Sequence, residues 1–125
     1  MDVKTEKDLN DKFAQFIGTE KYYAHFMGIS VYTDGIKAMA DEFQAYWLID
    51  LVVSYQMVES IRSKHFQIWT LFSENGKAAL EMREDSDQPV AVRKEIPFTD
   101  FPEGTLQMYY IDDGSYKVLL LPSEY

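Results

Sequence analysis

The chain has 125 residues, 46% hydrophobic and 15% aromatic, which predicts a single domain over residues 1–125 and excludes a disordered tail. Its formal charge of −9, from 21 acidic and 12 basic residues, disfavours binding to nucleic acid or to an anionic membrane and favours a basic protein partner. The absence of cysteine excludes disulfides, thiolate metal sites and cysteine nucleophiles.

The first predicted elements lie in the N-terminal quarter of the chain. Residues 4–17 place Leu9, Phe13, Phe16 and Ile17 on one apolar face with charged residues elsewhere, which predicts an amphipathic helix. Gly18 is typical of a residue that ends such a helix. An aromatic, β-rich stretch follows and favours a short strand over residues 29–32.

Two more helices are expected next. Thr33, Asp34 and Gly35 are typical of a turn and N-cap, and they predict a helix over residues 36–43. The segment 43–61 is apolar on nearly every side, which indicates a buried helix against which a sheet packs.

The same segment is too short and too interrupted to span a membrane. Asp50 and Gln56 lie within its apolar run, whereas a spanning helix needs about 20 predominantly apolar residues. Residues 1–11 also lack the basic and apolar pattern of a signal peptide. We therefore expect no membrane contact and a cytoplasmic location.

The second half of the sequence predicts strands joined by hairpins. The turn at 74–77 contains Asn-Gly, the strongest hairpin signal in the chain, and Asp112–Gly114 predicts a second hairpin. The expected strands cover residues 65–73, 78–83, 90–96, 106–111 and 116–121. Helices followed by strands predict an α+β fold, with two to three N-terminal helices packed on one face of an antiparallel β-meander of about five strands. The strand at 116–121 is expected at an exposed edge, where it could pair two copies into a homodimer.

The sequence offers few candidates for catalysis. The two histidines are His25 and His65, and neither a nucleophile elbow nor a phosphate-binding loop accompanies them. His25 is the better candidate for a functional histidine, although a structural histidine is the more common case. Asp50 lies mid-helix between apolar residues, where an acid marks either a site or a structural ion pair. We expect no enzymatic activity, and an enzyme that uses Asp50 or His25 is the last alternative.

Metal ions and cofactors are not expected either. His25 and His65 lie forty residues apart and do not form a spaced ligand pair. Asp85 and Asp87 could contact calcium, but their loop lacks the glycine and the late glutamate of an EF-hand. We interpret this loop as solvated charge.

A pocket for a small, nucleotide-like ligand is a second functional hypothesis. Several tyrosines could line an aromatic pocket or could equally be ordinary packing: Tyr22, Tyr23, Tyr32, Tyr109 and Tyr110. The other residues of this hypothesis are acids and a histidine that could share the pocket, and arginines that could contact the ligand: His25, Asp50, Asp100, and one or two of Arg62, Arg83 and Arg93.

Five short phrases, taken in order, resemble a family of small bacterial and phage-borne proteins known only as a domain of unknown function. The phrases are YTDG at 32–35, AYWLID at 45–50, FQIW at 66–69, FTDFP at 98–102 and LLLPSEY at 119–125. The resemblance extends from about Gly18 to the end of the sequence. It implies a gene often carried on phages and other mobile elements, and it implies no catalytic residue.

The phrases suggest where some of their polar residues lie. Asp50, Asp100 and Glu124 could form an acidic cluster, or could each cap backbone groups at turns. Tyr125 is expected to pack near the corner at 98–102.

The first functional hypothesis is a non-enzymatic interaction protein. Its carboxylates could imitate phosphates and bind a basic, nucleic-acid-binding surface of a host protein, as some anti-CRISPR and other anti-defence proteins do. Direct binding of nucleic acid is not expected. The candidate contacts are eight acids taken to be exposed: Glu81, Glu84, Asp85, Asp87, Glu95, Glu103, Asp112 and Asp113.

Overall fold

The computed structural model describes residues 7–19, 21–25, 28 and 30–125, and it places seven strands of that part of the chain in one sheet. The strands are β1 (Tyr22–Ala24), β2 (Ser30–Thr33), β3 (Phe66–Glu74), β4 (Lys77–Arg83), β5 (Val92–Ile96), β6 (Gly104–Asp112) and β7 (Lys117–Leu120). The helices are α1 (Asp34–Phe43), α2 (Tyr46–Tyr55) and α3 (Glu59–Arg62), with 3-10 helices at Leu9–Phe13 and Pro122–Glu124. The α+β class is therefore confirmed.

The sheet is mixed and larger than predicted. Its strand order is β1-β2-β7-β6-β3-β4-β5. β2 and β7 run parallel, with Ser30 opposite Lys117, and the other neighbouring pairs of this sheet are antiparallel. The prediction of a purely antiparallel meander of about five strands is wrong, because β1 and β2 extend the sheet beyond β7. Residue 29 of the predicted strand at 29–32 lies outside the described residues.

β7 lies inside the sheet, so the prediction that residues 116–121 form an exposed edge is wrong. The backbone of β7 pairs with β2 on one side and with β6 on the other. The two edges of the described sheet are β1 and β5. A homodimer stays a prediction, but it cannot form by strand pairing through β7, because both edges of β7 are already paired.

The amphipathic helix predicted over residues 4–17 is much shorter in the described part of that range. Leu9–Phe13 forms a 3-10 helix whose first turn is capped by the side chain of Asp8. Leu9 and Phe13 are buried as expected, whereas Ile17 is 79% exposed. Residues 4–6 lie outside the described residues.

Pairing with β6 explains why this segment is not a longer helix. β7 is shorter than β6 and leaves the start of β6 without a partner strand on that side. The N–H of Thr105 donates to the carbonyl of Lys7 over 2.7 Å, and the side-chain amide of Asn10 exchanges two hydrogen bonds with the backbone of Gln107. These bonds satisfy backbone groups that would otherwise be an open sheet edge.

The helix predicted over 36–43 is confirmed as α1, but the continuous helix predicted over 43–61 is wrong. Gln44 takes a left-handed conformation (φ 53°) and separates α1 from α2. α2 buries Leu48, Ile49, Val52 and Val53 against the sheet before the chain turns at residues 56–58. No helix among the described residues is long and apolar enough to cross a membrane.

The predicted Asn-Gly hairpin is confirmed between β3 and β4. Asn75 and Gly76 both have positive φ (55° and 74°), and Glu74 pairs with Lys77 across the turn. Two successive residues with positive φ match the twist of an antiparallel pair, which is why this dipeptide is a reliable hairpin signal.

The sheet has one face covered by helices and one open face. Alternate residues along the central strands, such as Trp69, Leu80 and Met108, are fully buried under the helices. A smaller cluster of Val31, Val118 and Leu120 is buried on the open face.

Glu124 joins the Pro122–Glu124 turn to the start of α1. Its carboxylate is buried and accepts hydrogen bonds from the hydroxyl of Thr33 (2.6 Å), the N–H of Gly35 (3.0 Å) and the N–H of Leu121 (2.9 Å). A Cβ at residue 35 would lie 2.6 Å from the carboxylate oxygen, so this approach requires glycine. A carboxylate at the first turn of a helix also stabilises its dipole.

Tyr125 does not lie near the corner at 98–102. Its ring packs edge-on against Phe66 and Tyr109 on the open face, with both centroid distances 5.5 Å. The expected location is wrong because the Pro122–Glu124 turn directs the chain back across the open face.

We predict that Glu124→Ala destabilises the fold by about 2–3 kcal/mol, since buried donors lose a charged acceptor. Urea unfolding measures the change. Ser123→Ala, in the same turn and exposed, is the control and should stay within about 0.5 kcal/mol of the parent protein. Equal stability of the two variants would contradict the role assigned to Glu124.

Candidate ligand pocket

The structure does not bring the tyrosines of the predicted aromatic pocket together. Tyr23 stacks on Tyr32, with ring centroids 5.6 Å apart, while Tyr22 is half-exposed at the β1 edge. Tyr109 lies on the open face and Tyr110 lies under the helices. These side chains serve separate parts of the packing.

The structure also gives the three acids of the predicted cluster separate surroundings. Asp50 pairs with His25, and Glu124 caps α1. Asp100 is exposed at a shallow groove beside Trp47 and Phe98. Within the described part of the chain, no group of three or more histidine, aspartate or glutamate side chains could hold a metal ion.

A hydrogen bond between His25 and Asp50 ties the residue that follows β1 to α2. The His25 Nε2 lies 2.7 Å from the Asp50 Oδ1, with the imidazole 4% exposed and the carboxylate 50% exposed. The backbone N–H of His25 donates to the carbonyl of Ser30 over 3.0 Å. Asp50 is therefore paired rather than isolated, and the pair fixes where Ser30 lies relative to α2.

A pocket of about 180 Å³ opens one helical turn beyond Asp50, where α2 ends over the starts of β2 and β7. It is smaller and more enclosed than the groove of about 510 Å³ on the open face. Apolar and polar side chains both line it: Ser30, Val53, Gln56, Met57, Arg62, Tyr110 and Lys117.

Two hydroxyl groups form the polar part of the pocket floor. The Oγ of Ser30 and the phenol oxygen of Tyr110 lie 2.6 Å apart and are both buried. Burial raises the pKa of Tyr110, and the nearby charge of Asp112 adds to the rise, while the bond to Ser30 opposes it. The phenol is therefore neutral at physiological pH, and either oxygen can donate in this pair.

Arg62 is an exposed residue whose guanidinium bonds the turn at the end of α2, and side-chain amides support that turn. Its guanidinium donates to the carbonyl of Gln56 over 3.2 Å. The amides of Gln56 and Gln67 exchange two hydrogen bonds (2.9 and 3.0 Å). Gln67 is fully buried, and it also donates to the carbonyl of Ile61 and accepts from the indole N–H of Trp69, both over 2.9 Å. Gln67 of β3 thus fixes the turn at residues 56–61, which precedes Arg62, against the sheet.

Lys117 supplies a second cation, whose charge is balanced by a neighbour. Its Nζ lies 3.3 Å from the Oδ2 of Asp112 across the β6–β7 hairpin. The N–H of Gly114 and then the ammonium of Lys117 hold the pKa of Asp112 below its usual value. Asp112 is therefore ionised at neutral pH and compensates the charge of Lys117.

Only some of the residues that line this pocket could be predicted from the sequence. Arg62 and Tyr110 belong to the ligand hypothesis, but Ser30, Gln56 and Lys117 do not. Gln56 interrupts the apolar segment and Lys117 is a single base beside apolar strand residues, and both are signals of a polar site.

The eight predicted acidic contacts do not form one surface. Five of them lie at the end of the sheet where β3 begins, which we call the Phe66 end: Glu84, Asp85, Asp87, Asp112 and Asp113. Glu103 lies at the opposite end, where it accepts from the N–H of Asn75. Glu81 and Glu95 lie on the open face on either side of Arg93.

Half of these eight acids are paired with a base of the same chain. Arg93 bonds both Glu81 and Glu95, Lys64 bonds Glu84, and Lys117 bonds Asp112. Asp85, Asp87, Glu103 and Asp113 make no ion pair with a described residue. The charge available to a partner is therefore smaller than the sequence suggested.

The fold and the pocket define an α+β protein with helices on one face of a mixed sheet and a small polar pocket at one end of α2. The chain belongs to the family of unknown function DUF6876, whose model matches residues 7–125. This confirms the resemblance to a domain of unknown function.

A solved structure is similar in fold. It is the crystal structure of a protein of unknown function from Enterococcus faecalis, with a TM-score of 0.58 and 19% identity over 81% of this chain and 93% of that chain. At this identity the similarity shows the fold alone. No curated protein matches the sequence.

We predict that Gln67→Leu loosens the turn that carries Arg62. The change leaves the buried Trp69 indole N–H without its acceptor, at roughly 1–3 kcal/mol, and removes the bonds that Gln67 makes to the Gln56 amide. Urea unfolding should show the loss, and hydrogen exchange should rise first in residues 56–62. Gln88→Leu, in an exposed loop, is the control. Unchanged exchange in residues 56–62 would contradict the positioning role of Gln67.

Proposed function

We propose that this protein is a non-enzymatic binding protein that holds a small ligand in the pocket at the end of α2. The observation that carries the proposal is Arg62, whose guanidinium makes no ion pair with a described carboxylate although acids outnumber bases by 21 to 12. An unpaired arginine in an acidic protein, at an enclosed pocket with hydroxyl groups on its floor, suits a ligand with an acceptor group.

The size of the pocket supports a ligand smaller than a nucleotide. Pockets for drug-sized ligands usually measure about 300–1,000 Å³, whereas this one measures about 180 Å³. Its single aromatic ring belongs to Tyr110, so the pocket offers no stack of rings for a nucleobase. We therefore propose that the ligand is a small metabolite and not the nucleotide-like ligand that the sequence suggested.

We predict that a ligand found in a library of charged and neutral metabolites raises the melting temperature of the protein. A free ligand at 100 times its Kd stabilises the folded state by about 2.7 kcal/mol. Native mass spectrometry of protein purified without denaturation offers an independent search for a bound molecule.

Arg62→Ala should reduce the stabilisation by that ligand. Arg83→Ala is the matched control, since Arg83 is an arginine of β4 that does not line this pocket. A library without a single stabilising compound, or equal stabilisation of both variants, would contradict the proposal.

A second candidate function is the acidic interaction protein, acting in the cytoplasm as a phage or mobile-element accessory that blocks a basic, nucleic-acid-binding surface of a host protein. The observation that favours it is a group of three carboxylates at the Phe66 end, Asp85, Asp87 and Asp113, that make no ion pair with a described residue. Unpaired carboxylates on loops at one end of a rigid sheet attract a basic surface and do so most strongly at low salt.

We predict that a basic host protein binds this end and is released as salt rises from about 50 to 500 mM, because screening weakens exposed charges. Affinity capture at both salt concentrations, read by mass spectrometry, is the measurement. The triple variant Asp85→Asn, Asp87→Asn, Asp113→Asn should lose the partner. The control with the same charge change elsewhere is Asp11→Asn, Glu42→Gln, Asp100→Asn. Capture that neither salt nor the triple variant weakens would contradict this function.

A further inference from the structure

We infer that the pocket at the end of α2 selects small organic monocarboxylates with an apolar body over neutral and doubly charged ligands. This inference rests on the proposed ligand-binding function and adds the chemical class of the ligand. Three properties of the pocket carry it: its charge balance, the geometry of its arginine and the apolar part of its lining.

The charge of the pocket matches one negative charge. The cations that line it are Arg62 and Lys117. Lys117 is balanced by Asp112 at 3.3 Å, and Asp50, one turn back along α2, does not line the pocket and is hydrogen-bonded to His25 over 2.7 Å. Arg62 thus remains as the uncompensated charge, and a dianion such as phosphate would exceed it by one unit.

The geometry of Arg62 favours a carboxylate among the monoanions. A guanidinium presents five N–H donors in a planar fork that matches the two oxygens of a carboxylate. One of these donors is occupied by the carbonyl of Gln56. The others remain for a ligand, and the bond to the Gln56 carbonyl lowers the cost of ordering the side chain when the ligand binds.

The remaining lining favours an apolar body attached to that carboxylate. Val53 is buried in the pocket wall, and Met57 lies at its mouth with 73% of its surface exposed. An exposed methionine beside a pocket is a flexible apolar contact that adapts to a ligand. The Ser30–Tyr110 hydroxyl pair on the floor then accepts or donates one further hydrogen bond.

Isothermal titration calorimetry with matched pairs of probes tests this inference. Hexanoate and benzoate are titrated beside hexanamide and benzamide, which keep the body and remove the charge, and inorganic phosphate is titrated at a pH well above its second pKa, where it is the dianion. We expect the carboxylates to bind roughly tenfold or more tightly than the amides and than phosphate. Equal affinity of carboxylate and amide would overturn the inference.

Two variants of Arg62 test whether this residue causes the preference for carboxylate over amide. Arg62→Gln should abolish the preference for carboxylate over amide, and Arg62→Lys should keep part of it because the charge remains but the fork is lost. Urea unfolding checks that both variants fold. A preference that survives Arg62→Gln would place the anion elsewhere and overturn the inference.

Asp112→Asn tests the charge balance by adding one uncompensated positive charge to the pocket instead of removing one. The amide keeps the acceptor for the N–H of Gly114 and removes the charge that compensates Lys117. Carboxylate affinity should rise several-fold, and phosphate should gain more than benzoate. Asp113→Asn is the control, because it removes one charge from the same hairpin without touching Lys117. Equal effects of the two variants would overturn the assignment.

The same experiments separate this inference from the proposed function. A neutral or doubly charged ligand that depends on Arg62 would leave the pocket as a binding site and overturn its selectivity for monocarboxylates. The absence of any ligand that depends on Arg62 would overturn both.

Discussion

The buried carboxylate of Glu124 is the constraint on which the architecture around the pocket depends. It receives donors from β2, from the first turn of α1 and from its own turn, so one side chain joins the C-terminal turn to two elements that lie about 90 residues earlier in the chain. This fixed point lies at one end of the parallel pair of β2 and β7. At the other end of the same pair Ser30 faces Lys117, and both line the pocket. The register of two short strands thus decides whether the hydroxyl of Ser30 and the ammonium of Lys117 line the same pocket.

Two of the five sequence phrases acquire a physical meaning from this contact. YTDG contributes the N-cap Thr33 and the glycine that lets a carboxylate approach the helix, and LLLPSEY contributes that carboxylate. Of the two roles considered for Glu124, a cluster of acids or a cap on backbone groups, the structure supports the cap. Asp50, in the phrase AYWLID, likewise acts through a partner outside its own phrase, since it pairs with His25.

The sequence was informative where local rules decide the structure. The helix α1 and the Asn-Gly hairpin follow from capping and turn chemistry, and the structure has both. It was uninformative where distant parts of the chain compete with local preference. Residues 7–10 pair with β6 instead of continuing a helix, and a left-handed Gln44 divides what the apolar pattern joined. The lining of the pocket could be predicted only in part for the same reason. Arg62 and Tyr110 are residue types that commonly bind ligands, whereas Ser30 and Lys117 are brought together by a parallel strand pairing that no local pattern encodes.

The arrangement of the sheet has a consequence for how the chain is made. β1, β2 and the segment at residues 7–10 are synthesised first, yet the strands that complete them, β6 and β7, are synthesised last. Bringing together groups nearly 100 residues apart makes folding slow, and the early strands keep unpaired backbone groups in the meantime. On the ribosome the first third of the polypeptide therefore has to remain unfolded without aggregating while the rest is translated. The first 63 residues carry 10 acidic and 6 basic residues, and this excess of negative charge keeps such nascent chains apart, so the acidity of this protein has a use before the native state exists.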